Sequence, residues 1–121
     1  MAKPLPRPNC IDHIEFRASS AEDLRRARDF HTSVFGWNYR MWGGEYCDTS
    51  DSGISSGING SPEDTTTAPL PVIYTDDLAA AVDRVKNAGG TVTREVFSFP
   101  GGRRFHFRDP AGNDLAVWSD R

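Results

Sequence analysis

In the stretch CIDHIEFRA, Ile11, Ile14 and Phe16 are apolar, and His13, Glu15 and Arg17 share a face; the alternation predicts a strand. In SSAEDLRRARDFHTSVFG the period changes. Leu24, Ala27, Phe30 or His31, and Val34 recur at helical spacing, with Ser19 or Ser20 to cap the start, Glu22 and Asp23 in the first turn and Gly36 as the stop. The stretch WNYRMWGGEYCDTSDSGISSGING then reads as three short strands, turning at Gly43 and Gly44 and again near residues 51–53.

After SPEDTTTAP the same order returns. LPVIYT predicts a strand, and DDLAAAVDRVKNAGG predicts a helix with Leu78, Ala81, Val82 and Val85 on one stripe and Gly89 at its end. TVTREVFSFPGGRRFHFRDPAGNDLAVW predicts three more strands. The helix openings AEDL and TDDL stand 54 residues apart. An internal duplication follows: residues 10–60 form one βαβββ module, 61–69 a linker and 70–121 a second module, within one domain of 1–121. Residues 1–9, with three prolines, predict an extended tail. Neither half has much core of its own, so the expected fold is α+β, two tandem βαβββ modules whose sheets curl around a shared cleft.

Composition narrows the function. The 37% hydrophobic and 26% charged content is that of an ordinary globular domain, and the net charge of -3 supplies no basic field for nucleic acid. Arg103, Arg104 and Arg108 are few and interrupted by Asp109, which excludes a basic groove for single strands. Cys10 and Cys47 lack CxxC or histidine-rich spacing, so they read as free thiols of a cytoplasmic protein. No apolar run is long enough to cross a bilayer.

Candidate chemistry gathers on strand faces. In RRFHFRDPAGNDLAVW, Arg104, His106 and Arg108 alternate with Phe105 and Phe107, and Asp114, Ala116 and Trp118 alternate with Leu115 and Val117. DPAGN is the turn between them, with Asp109 capping backbone amides and Gly112 supplying a left-handed φ. GGRRFHF precedes no helix and matches no phosphate-loop pattern. The hydroxyls of residues 49–56 have no histidine and aspartate at triad positions and read as turns and a solvated strand face.

The repeated order, with HIEF, FHTSVFGW, GING, TDDLAAAVDRVKNAGG and FRDPAGNDLAVW, resembles the vicinal oxygen chelate superfamily. That superfamily includes glyoxalase I, the bleomycin-resistance proteins and the extradiol dioxygenases, and a glyoxalase-like branch with a GING segment is the most similar. The resemblance implies a pair of βαβββ modules forming a cavity, commonly completed by dimerisation. In metal-dependent members it also implies a cation on four side chains, one near each module's first strand and one on each module's last. His13 falls at the first of these positions. Leu70 or its immediate neighbour stands where the second histidine is expected, Ala116 where GNxxE would bring a glutamate, and residues 54–60 contain no carboxylate or histidine. One imidazole does not hold a transition metal tightly, so no metal and no cofactor is expected.

The reading is a small-molecule binding protein of the glyoxalase and bleomycin-resistance type, without a bound metal. Its ligand is small, aromatic or anionic, and its expected site consists of His13, Arg17, Trp42, Tyr46, His106 and Trp118. Arg17 would meet a carboxylate, as the resemblance implies, and the aromatic residues would line the pocket. Two alternatives stay open. A glyoxalase-like lyase or isomerase, or a dioxygenase, would use a displaced set of His13, His106 and Glu15 or Asp114; without metal, His13 and His106 are the catalytic candidates. A regulatory or partner-binding protein would need no small ligand. A homodimer is expected, partly because each module ends on a strand whose edge needs cover; nucleic acid and membrane partners are not.

Overall fold

The computed structural model describes residues 6–63, 66 and 68–121. Parts of the expected tail and of the expected linker lie outside the described residues. The elements are β1 (Ile11–Arg17), α1 (Ala21–Phe35), β2 (Arg40–Met41), β3 (Tyr46–Thr49) and β4 (Ser55–Asn59), then β5 (Leu70–Tyr74), α2 (Leu78–Asn87), β6 (Thr91–Phe99), β7 (Gly102–Arg108) and β8 (Asp114–Ser119). The order βαβββ therefore occurs twice, in an α+β chain.

The expected curl around a cleft is not what forms. The strands bond as one eight-stranded mixed sheet in the order β2-β3-β4-β1-β5-β8-β7-β6, an open succession in which β2 and β6 are the ends and are not paired to each other. Long-range backbone bonds carry it: just ahead of β1, Asn9 N–H donates to the Tyr74 carbonyl at 2.9 Å, and Tyr74 N–H donates to the Cys10 carbonyl at 3.1 Å. The last strands β4 and β8 each lie between two neighbours, so the free edges expected there do not exist.

The chain divides into two compact units, His13–Leu70 in one and residues 6–12 with Pro71–Arg121 in the other. In the first unit, Ser20 caps α1 by accepting from Asp23 N–H, and Gly36 ends it at φ 75°. β4 pairs parallel to β1 and antiparallel to β3. Leu24 of α1 is fully buried with Ala18, Cys47 and Ile58, against Ala27, Tyr39 and Met41. Burying a leucine of this kind contributes about 1.5–3 kcal/mol. Farther along, α1 outruns its core. Phe30 and Val34, expected on the buried stripe, are exposed, and His31 turns inward to Tyr39 instead, Nδ1 lying 2.9 Å from the hydroxyl.

In the second unit, Asp77 caps α2 by accepting from Ala80 N–H, and Gly89 follows its end at φ 95°. The stripe Leu78, Ala81, Val82 and Val85 packs on Phe105, Phe107, Val117, Ile73 and Val92. Asp109 organises the β7–β8 turn, accepting from the N–H groups of Ala111 and Asn113 and from Asn113 Nδ2. These bonds hold its carboxyl below the usual carboxylate range, the Asn113 side chain contributing most.

Candidate functional site

The face of the first unit opposite α1 is polar. The helix side takes Cys47 and Ile58, which are partners in the β3–β4 register, so the residues between them look the other way: Tyr46, Asp48, Ser55, Gly57 and Asn59 beside His13, Glu15 and Arg17 of β1. His13 is the centre of this face. Its Nδ1 lies 2.9 Å from Ser55 Oγ and its Nε2 lies 2.9 Å from the Tyr46 hydroxyl. A neutral imidazole has one donor and one acceptor nitrogen, and here each faces a hydroxyl that can play either role.

Tyr46 gets there by lying across Gly57. Arg17 donates to the Asn59 carbonyl at 2.9 Å, and Glu15, only 5% exposed, accepts from Asn59 Nδ2 at 3.2 Å. At the end of the same face Trp42 is 46% exposed, with its indole N–H on Asp48 Oδ1 at 3.0 Å and the Arg40 guanidinium 4.2 Å over its ring. Four of the expected residues, His13, Arg17, Trp42 and Tyr46, thus belong to this unit. Ser55 and Asn59 were missed, because a run of serines and glycines reads as turn.

His106 and Trp118 belong to the other unit, on the face of β7 and β8 opposite α2. His106 is 8% exposed and packs edge-on to Phe97, ring centres 5.6 Å apart. Trp118 donates its indole N–H to both carboxylate oxygens of Asp12, at 3.0 and 3.2 Å, and its ring lies 5.1 Å from Tyr74 and 6.4 Å from Phe99. Tyr74 donates to Asp120 Oδ1 at 2.7 Å, and that bond, ahead of desolvation, raises its phenol above the ordinary value.

The donors do not fit a metal. Among the described residues no group of three or more His, Cys, Asp and Glu side chains converges on one point. Leu70 and Ala116 are buried apolar residues, and both nitrogens of His13 are engaged. The displaced set fares no better: Asp114 is an exposed strand end paired to Arg108 at 3.1 Å, and Glu15 is turned to Asn59.

The family model described as the Glyoxalase/Bleomycin resistance protein/Dioxygenase superfamily matches residues 11–117. The chain belongs to this superfamily. Proteins named Putative glyoxylase CFP32, from Mycobacterium bovis and Mycobacterium tuberculosis, are 32% identical over 122 aligned positions. The match covers 92% of this chain and 44% of theirs, so the chain spans less than half the length of these curated relatives. Among solved structures, the Mn(II)-bound glyoxalase from Novosphingobium aromaticivorans aligns at TM-score 0.66 and 21% identity, over 96% of this chain and 40% of that one. A superfamily member from Vibrio splendidus 12B01 aligns at 0.65 and 15%, over 88% and 95%. At those identities the two structures share the fold alone. The manganese of the first belongs to that protein.

Proposed function

We propose that this superfamily member binds a small aromatic or anionic molecule as a metal-free binding protein of the bleomycin-resistance type, and that the polar face around His13 is where the ligand is held. The observation that carries this reading is the pair of hydrogen bonds on His13. Its ring is a fixed polar post between Tyr46 and Ser55 and not a donor with a free nitrogen for a cation. Trp42 supplies an exposed aromatic surface at the end of that face, and Arg17 a guanidinium matched to carboxylates. His106 and Trp118 are kept as ligand-binding candidates of the second unit. The glyoxalase-like enzymatic alternative, although suggested by the name of the mycobacterial relatives, lacks its carboxylate at Ala116.

The same reading includes a homodimer, supported by the superfamily resemblance. It also includes a cytoplasmic setting, supported by the free thiols of Cys10 and Cys47. No helix among the described residues is long and apolar enough to cross a membrane.

Metal analysis and calorimetry test the reading together. Protein made without a chelating tag should carry far less than one transition metal per chain, and its affinity for small aromatic ligands should be unchanged by a chelator. Trp42→Ala should weaken aromatic carboxylates and their neutral amides alike, whereas Arg17→Ala should weaken the carboxylates more. About one metal per chain, lost in His13→Ala, would refute the proposal. Light scattering at micromolar concentration decides the dimer.

A further inference from the structure

β6 breaks its two-residue period twice. The register against β7 shifts between Val92 and Arg94 and again between Arg94 and Phe97, each shift adding a residue to β6. In an unbroken strand, positions 94 and 97 point to opposite faces. Here Arg94 stands opposite His106, Phe97 opposite Arg104 and Phe99 opposite Gly102. All three therefore share the face of Arg104, His106 and Trp118, away from the Val92, Phe105 and Phe107 that pack with α2.

The result is an aromatic platform with two cations on it. The Arg94 guanidinium lies 3.6 Å from the Phe97 ring centre, and that of Arg104 lies 5.4 Å from Phe97 and 5.9 Å from Phe99. Stacking on a ring uses the face of a guanidinium and leaves its in-plane N–H fork for an oxyanion. Arg94 is exposed, and among the described residues its side chain makes no hydrogen bond or ion pair. A bulged strand gives up regular ladder bonds to re-aim side chains, and what these bulges re-aim is Arg94 toward Phe97.

We propose that Arg94 and Phe97, with Arg104 beside them, form an oxyanion subsite that takes the carboxylate or phosphate of a ligand whose planar apolar part lies against Phe99 and Trp118. The subsite belongs to the second unit, where His106 and Trp118 are the ligand-binding candidates; it rests on the reading that the chain binds small molecules, not on the His13 face, and names the class taken there: a planar aromatic acid or aryl phosphate.

Calorimetry on the full chain with 2-naphthoate, 2-naphthyl phosphate and neutral 2-naphthamide tests it. The wild-type chain should bind at least one of the two anions more tightly than the amide, and the preferred anion identifies the oxyanion. Arg94→Gln should weaken that anion about tenfold or more, the scale of one charged hydrogen bond, and leave the amide unchanged. Arg94→Lys keeps the charge but loses the fork, and should recover part of the loss. Circular dichroism and thermal midpoints of both variants should match wild type, since Arg94 is exposed. If the anions bind and Arg94→Gln binds them equally well, the subsite is wrong and the binding-protein reading stands. If none of the three probes binds, both fall.

Discussion

Tyr46 reaches His13 because residue 57 has no side chain. A Cβ built there would overlap the Tyr46 hydroxyl and stand 2.6 Å from its Cζ. The clashing atoms are the far end of a ring that can swing, so Gly57→Ala should cost the His13 contact and spare the fold. The Nε2 nitrogen resonance of His13 is the readout. It should move in Gly57→Ala in the same direction as in Tyr46→Phe, with the circular dichroism of the wild type; an unmoved resonance would mean that the ring had stayed in place. Strand parity in the sequence was enough to put His13 and Arg17 on one face, because β1 alternates from His13 to Arg17. It was not enough to find Ser55, whose hydroxyl lies on His13 Nδ1: SDSGISSG carries turn residues throughout, and only the parallel register His13↔Ser55 brings the two together.

Gly60, at the end of the same GING segment, does a different job at the level of elements. A Cβ there would lie 2.7 Å from the Ser20 carbonyl oxygen and 3.3 Å from Leu24 Cβ, that is, against the capped start of α1. Backbone cannot swing aside as a ring can. Gly60→Ala should therefore destabilise by about 1–3 kcal/mol, the range of overpacking, read as a lower urea midpoint, and by more than Gly57→Ala. The elements themselves were legible where the chain marks them chemically. Ser20 and Gly36 bound α1, Asp77 and Gly89 bracket α2, and the alternation of Phe105 and Phe107 with Arg104 and His106 assigns both faces of β7. Two features had no such mark. The bulges of β6 fall in TVTREVF, which has no glycine to announce them, and the outer turn of α1 keeps helical spacing at Phe30 and Val34 although no core lies beneath them.

At the scale of the whole molecule, strand succession depends on backbone bonds between distant segments, such as Asn9 and Cys10 with Tyr74. Local pattern carries no record of these, which is why two βαβββ repeats could be read from sequence and an open eight-strand order could not. Stability against alkali follows from a different long-range fact: two ionisable groups of the first unit are shielded together. Burial pushes the Cys47 thiol from 9.0 up to about 11, with Arg28 pulling the other way, and burial, then Cys47, pushes the Tyr39 phenol from 10.0 up to about 12. Between its unfolded and folded values each group holds its proton in the native state and releases it on unfolding. The native state then binds more protons, and stability falls as pH rises. Below about pH 8 both groups are protonated in either state and contribute no slope. The urea midpoint should accordingly be flat up to about pH 8 with respect to these groups and decline above it, first through Cys47 and then through Tyr39. Cys47→Ala should start lower at pH 8, because a fully buried side chain is cut back, yet decline less steeply between pH 9 and 10.5; an equally steep decline in the variant would show that the buried thiol is not what the native state protects.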